Sequence, residues 1–393
     1  MAEALESDDD THRKKELRMS RPVPKGRKRT IRRRRRHLRR SVRYALIAII
    51  AVVVLLGGFL IIPRMIEQRQ LRSLGYSSES IAAIRQYGLS DLLRENQLYS
   101  DNLNRSLPQD NFRSDYLYLY LATDELSDDD FLLAQRLRER NYSDEKCARL
   151  FESLEFWEIT PLLVFDYVAD IEAYIQDCQN HRDVNSIHHF ELDGTYVSWY
   201  SDPQPANTED TSMLVNKQNY LTEEYQPDDL VELSLTYASS DRWMKQEAAD
   251  AFIRMCDELN AGGSPRMYAS STYRDYAYQV ELYEQYVARN GQQWADSIAA
   301  RPGYSEHQTG LTADVASTAS GGLSQFEDSE EFQWMQQNAH RFGWMLRYPQ
   351  GKQTLTGYDY ESWHYRYLGV ELATQVYQSG LTYDEYYALY LAD

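Results

Sequence analysis

Between Ala45 and Ile62 the chain reads ALIAIIAVVVLLGGFLII, 18 consecutive residues without a charge or a proline. A helix rises about 1.5 Å per residue, so this run covers most of a hydrocarbon core of roughly 30 Å. The block RRRRRHLRR, Arg32 to Arg40, stands just before it. Positive charge beside an apolar span holds that end in the cytoplasm. The sequence therefore predicts a basic cytoplasmic tail over residues 1–43, a single-pass membrane helix over 44–63 with its apolar span at 45–62, and export of everything after Pro63. A cleaved signal peptide is the competing reading. The long basic tail, the length of the apolar run and the lack of a small-x-small site after Ile62 speak against it. Arginine runs also bind nucleic-acid phosphates. Set against an apolar span, this one is read as an orientation signal aided by anionic lipid, and no nucleic-acid partner is expected.

Charge follows the same division. Residues 1–43 hold 17 of the 42 Lys and Arg with six acidic residues, leaving 25 basic and 54 acidic residues in the rest. The formal net charge of −18 thus combines a basic tail with a strongly acidic body. Cys147, Cys178 and Cys256 all fall on the exported side and form no CxxC pair, which excludes a thiolate zinc site. An oxidising compartment permits a Cys147–Cys178 disulfide. Buried reduced thiols are the alternative, and spacing does not decide between them.

Residues 64–205 read as mostly helical, with apolar positions three and four apart in SIAAIRQYGLSDLLREN and DDFLLAQRLRERN. The starts GYSSESIAAI, NYSDEKCARLF and GLTYDEYYALYL each place Ser or Thr before an acidic first turn, which caps a helix and suits its dipole. They read either as degenerate copies of a small helical unit, forming a stalk or wall-binding module, or as ordinary helix punctuation. HHFELDGTYVSWY, His188 to Tyr200, alternates like a hairpin turning at Asp193-Gly194. Adjacent His188 and His189 would face opposite ways on a strand and are read as surface residues. A polar linker around residues 205–212 marks the boundary of a second domain, 210–393. There the patterns predict helices over 245–259, 275–300, 330–342 and 370–379. Strands are expected over 266–273, on both sides of a Gly310 turn within 304–317, and as a hairpin within 344–367. Helices followed by clustered antiparallel strands make this an α+β domain with a small antiparallel sheet flanked by helices.

Two local patterns carry chemistry. SEHQTGLTADV separates His307 from Asp314 by seven positions across a glycine turn, and ESWHYRY places Glu361 three residues before His364. A zinc hydrolase needs three N/O ligands with one position left open, plus a carboxylate outside the ligand set to take a proton. Two His and one Asp meet the first need and Glu361 the second. Residues three apart on a flat strand face opposite ways, so a bulge or bend must bring Glu361 and His364 to one site.

Together, SSTYRDYAYQ, PGYSEHQTGLTADVAS and FGWMLRYPQGKQTLTGYDYESWHYRYLG resemble the VanY-type D-alanyl-D-alanine carboxypeptidases, a likeness covering roughly Leu214 to Gly369. It implies a Zn2+ enzyme that removes the terminal D-alanine from peptidoglycan stem peptides. His307, Asp314 and His364 would bind the metal and Glu361 would be the general base. Arg274 would face the scissile peptide, and Gln279, Ser305, Tyr348 and Trp363 match positions that contact substrate. Ser362 stands where the family often has Pro, and Ser271 or Thr272 where it often has Gly; none is a ligand or base. An L,D-carboxypeptidase acting on tetrapeptide stems would use the same metal site. A D,D-dipeptidase fits the likeness less well. A non-catalytic wall-binding protein, with the helical region as its working part, is the reading from another class.

Overall fold

The computed structural model describes residues 40–182, 192, 194–261, 267–319 and 322–392. The basic tail up to residue 39, and His188, His189, Asp193 and Arg266, lie outside the described residues. The chain divides into two units, residues 1–66 and 67–393. In the first, helix α1 (Arg40–Leu74, which runs on into the second unit) carries Pro63 within it. Up to Ile66 its large apolar side chains are exposed, Leu55 to 72% and Phe59 to 78%. From Val42 it is long and apolar enough to cross a membrane, which fits the predicted span.

The second unit opens with short helices. Ser77, Ser143 and Thr382 cap helix N-termini through their hydroxyls, as all three polar starts predict. Two apolar clusters organise the helical part. One gathers Leu71, Ile84, Leu103, Leu119 and Phe131. The other joins Leu137, Cys147, Leu150, Leu163, Tyr174 and Cys178 to Met345, Leu355, Leu368, Val376, Tyr383 and Leu389. The helical region and the end of the chain therefore share a core. The three thiols are free and buried.

The C-terminal part is built on a four-stranded antiparallel sheet: β1 (Met267–Ser271), β2 (Thr312–Ser317), β3 (Trp344–Tyr348) and β4 (Glu361–Tyr367), in the order β1-β2-β4-β3. Helix α2 (Gln246–Leu259) lies on one face, with Ala248, Phe252 and Met255 in a core with Ala269, Ala313, Val315, Trp344 and Tyr365. Strand alternation sends the intervening residues Asp314, His364, Arg366, Met345 and Arg347 to the other face. Met345 there enters the core shared with the helical region. Every residue of β2 is buried, because both faces are covered.

The outline agrees with the α+β expectation and departs from it locally. The expected helix 275–300 is two, α3 (Tyr276–Asn290) and α4 (Gln292–Ile298), broken at Gly291 with φ 84°. The stretch before Gly310 is a 3-10 turn over Glu306–Thr309, not a strand. Gly310 itself has φ 71°, and a Cβ there would lie 3.0 Å from Leu230 and 3.2 Å from the Lys245 backbone nitrogen. The expected hairpin at 344–367 has the short helix Gln353–Thr356 between its strands. Within 188–200, Thr195–Tyr196 pairs with Asp166–Tyr167. Helix α5 (Glu330–Asn338) and helix α6 (Val370–Ser379) follow the predicted pattern. A final helical segment, α7 (Tyr383–Tyr386), continues as a π turn over Tyr387–Leu391.

Candidate metal centre

Asp314 lies mid-strand on β2, directly opposite His364 on β4. His307 comes from the 3-10 turn before Gly310, whose left-handed backbone swings the chain from the turn into β2. Against β3, β4 pairs Glu361 with Tyr348 and then Tyr365 with Leu346, a register shift between them. This is the irregularity that a Glu361–His364 pair on one strand requires. Glu361 Oε2 consequently reaches within 3.4 Å of His364 Nδ1. The ligand atoms of His307, Asp314 and His364 all lie within 4.8 Å of one another, and all three residues are buried.

Hydrogen bonding orients the first imidazole. His307 Nδ1 lies 2.5 Å from the Thr272 carbonyl, which can only accept, so Nδ1 carries the proton. Nε2 then presents a lone pair 3.3 Å from Asp314 Oδ1. Among the described residues that Nε2 is buried without a hydrogen-bond partner, as suits a nitrogen that would ligate a cation. His364 Nδ1 faces Asp314 Oδ1 at 3.1 Å, and its Nε2 faces Glu306 Oε2 at 3.4 Å. Two imidazoles and a carboxylate converging in this way are a donor set that fits a divalent cation such as zinc.

Burial and neighbouring charge set the protonation states. Burial and the Arg274 guanidinium push His307 down to about 4, leaving it neutral. His364 is raised to about 9, because bonds to Asp314 and Glu306 outweigh burial. Asp314 is held well below the usual carboxylate range; burial opposes this and the two histidines prevail. Glu361 goes the other way. Burial pushes it up to about 7, the pull of His364 and Arg274 offsetting only part of that rise. A carboxyl group poised there can accept and return a proton near neutrality.

Around the cluster is a cleft of about 180 Å³. Gln279, Ser305, Tyr348, Trp363 and Arg274 all line it, so every residue singled out from the sequence comes to one place. The Tyr348 ring packs against His364 with centroids 4.7 Å apart. Gln279 donates to the Ala300 carbonyl at 2.7 Å, leaving its Oε1 buried without a partner. Arg274 sits 3.8 Å from Asp314 through Nη2, and its buried Nε has no hydrogen-bond partner among the described residues.

Sequence reasoning missed the support beneath this site. Glu306 accepts from Arg347 at 2.9 Å and Arg366 at 3.2 Å, and Arg347 also pairs with Asp384 of α7 at 2.6 Å. All four groups are buried. A signal existed: WMLRY and HYRY place Arg347 and Arg366 among apolar strand residues, where a guanidinium needs a carboxylate.

The family model for VanY, D-alanyl-D-alanine carboxypeptidase, matches residues 241–370. Bacillus subtilis YodJ, a protein named as a carboxypeptidase, is 38% identical over 191 residues, 46% of this chain and 68% of YodJ. The D-alanyl-D-alanine carboxypeptidase of Enterococcus faecium is 32% identical over 182 residues, 44% of this chain and 56% of that enzyme. Among solved structures, a variant of the vancomycin-resistance D,D-pentapeptidase VanY in complex with Zn(II) is 31% identical, with 45% of this chain and 98% of that one covered and a TM-score of 0.39.

Proposed function

Because the chain belongs to the VanY family of D-alanyl-D-alanine carboxypeptidases, we propose that it is a zinc-dependent peptidase that removes the terminal D-alanine from peptidoglycan stem peptides. The observation that carries this reading is the convergence of His307, Asp314 and His364 with the partly buried carboxyl of Glu361 beside them. His307, Asp314 and His364 would hold zinc, which would supply electrophilic activation of water and of the peptide carbonyl.

The chain's own groups account for the remaining chemistry. Glu361 takes the proton of the attacking water and returns it to the departing amine, a cycle that a carboxyl near 7 performs in both directions. Arg274, with a buried Nε that has no partner among the described residues, faces the oxygen on which negative charge develops. Gln279 Oε1 accepts an N–H of the bound peptide, and Ser305, Tyr348 and Trp363 wall the cleft. Helix α1 anchors the protein in the membrane, and by the charge asymmetry of the sequence the catalytic part is extracytoplasmic.

The test uses the full-length chain in detergent, a stem pentapeptide and a stem tetrapeptide, with zinc and then with chelator. We expect D-alanine release from the pentapeptide, lost on chelation and restored by zinc. Release from the tetrapeptide alone would reassign the enzyme as an L,D-carboxypeptidase. No release from either by zinc-loaded protein would overturn the peptidase reading.

A further inference from the structure

Glu306 stands between two sequence-predicted site residues, Ser305 and His307, yet nothing in the proposed mechanism uses it. It is fully buried, and its two oxygens have separate tasks. Oε1 accepts from Arg347 Nε at 2.9 Å and from Arg366 Nη1 at 3.2 Å. Oε2 faces His364 Nε2 at 3.4 Å. A carboxylate that takes N–H bonds from two guanidiniums serves as an acceptor, so the geometry has His364 Nε2 donate to Glu306 Oε2. The other ring nitrogen, Nδ1, is the one beside Asp314 Oδ1 at 3.1 Å.

The guanidiniums are themselves anchored outside the centre. Arg347 reaches Asp384 with two bonds, of 2.6 and 3.1 Å, and Asn216 donates to the same carboxylate at 2.9 Å. Arg366 donates to the Thr211 and Met213 carbonyls at 2.9 and 2.8 Å. Asp384 lies beyond residues 241–370, the stretch that matches the family model. Glu306 is thus clamped through Oε1 and, among the described residues, offers Oε2 to His364. It is not itself one of the clustered donors, which are His307, Asp314 and His364.

We infer that Glu306 is a positioning residue of the metal centre: its carboxylate fixes His364 as the Nε2-protonated tautomer, presents Nδ1 to the ion and raises the ligand strength of that imidazole. This rests on the proposed metal reading. A carboxylate behind a ligating histidine orients the ring and makes its other nitrogen more basic, and losing such a partner typically costs about 10–100-fold in metal affinity.

Two measurements test it. In long-range ¹H–¹⁵N spectra of the zinc-loaded full chain labelled with ¹⁵N-histidine, His364 should show a protonated Nε2 and a metal-bound Nδ1. Zinc bound through His364 Nε2 would overturn the inference while leaving the peptidase reading intact. Secondly, zinc affinity is measured by competition with a chromophoric chelator, and stability by unfolding of the apo chain. Glu306→Gln should weaken zinc binding about 10–100-fold. Asp384→Asn, which loosens the same ionic network without touching His364, should lower stability and leave zinc affinity within a few-fold of wild type. If both variants lose affinity in proportion to lost stability, Glu306 is merely structural and the inference fails. If Glu306→Gln does not fold, the wild-type spectrum still decides. A wild-type chain that binds no zinc would sink this inference and the metal reading together.

Discussion

Glu306, fully buried, and Glu361, partly buried, stand on either side of one imidazole, and their surroundings drive them apart. Glu306 meets two guanidiniums and stays charged, whereas Glu361 is raised to about 7 by burial. The first can hold a ring and the second can trade a proton, a division of labour that recurs where paired acids have different environments. Glu361→Gln should therefore lower kcat about 10²–10⁴-fold while zinc affinity, read by chelator competition, stays close to wild type. An equal loss of zinc would make Glu361 a structural group instead. Arg274→Ala should lower kcat about 10²–10³-fold, and Arg274→Lys should recover little of it, since a point charge does not reproduce the directed N–H fork. The thiols give a pH-dependent prediction. Burial raises Cys147 from 9.0 to about 11 and Cys178 from 9.0 to about 12, with Asp144 adding to the rise at Cys147 and the Tyr174 hydrogen bond opposing it at Cys178. The unfolded chain therefore loses these protons first, and stability declines as pH rises from the ordinary thiol range towards the folded values. Denaturant unfolding between those limits should show the decline, and Cys178→Ala should show less of it. A thiol reagent should label none of the three buried cysteines in the native protein at pH 8.

At the scale of elements, Gly310 joins the turn that carries His307 to the strand that carries Asp314. Its φ of 71° and the approach of Leu230 and Lys245 leave no room for a side chain. Gly310→Val should destabilise the protein by about 1–3 kcal/mol, measured by denaturant unfolding, and should weaken zinc binding because it shifts two ligands relative to each other. Unchanged zinc affinity in a destabilised variant would separate the turn from the site. The elements legible in the sequence were those with local causes. Helices α2 and α6 follow from their apolar period, and the Ser77, Ser143 and Thr382 caps from hydroxyls ahead of acidic turns. His307, Asp314 and His364 could be named together as candidate ligands because motif order supplied what spacing alone left open, and the fold brings them together. The β4 irregularity was foreseeable only as a requirement of placing Glu361 beside His364; its position depends on pairing with β3. The break at Gly291 and the 3-10 turn at Glu306–Thr309 were missed, since neither interrupts the local pattern that suggested a helix or a strand. Arg347, Arg366 and Asp384 were missed because their partners lie far away in the chain.

At the scale of the whole molecule, the sheet has two faces and each needs a cover. Helix α2 supplies one, packing Phe252 and Met255 against Ala313, Val315 and Tyr365. Behind the other face, Met345, Leu355, Leu368, Tyr383 and Leu389 share a core with Leu137, Leu150, Leu163 and Tyr174 of the helical region. Thr160 donates to the buried Glu385 at 2.8 Å, and Arg136 bonds to the Leu389 carbonyl at 3.2 Å. Cutting the chain at the polar linker would expose this apolar surface and leave Glu385 without its Thr160 bond. Each fully exposed Leu or Tyr would forfeit roughly 1.5–3 kcal/mol of burial, so losing several is comparable with a typical net stability of about 5–15 kcal/mol. Residues 67–393 should accordingly unfold in one calorimetric transition with the zinc site, and residues 210–393 expressed alone should be insoluble or bind a hydrophobic dye. A soluble 210–393 fragment that unfolds cooperatively and keeps zinc would instead make the helical region a separable appendage, the arrangement expected of a stalk or wall-binding module. The shared core favours the first outcome, in which the helices are the second cover of the catalytic sheet and Asp384, at the far end of the chain, is held by them within reach of Arg347.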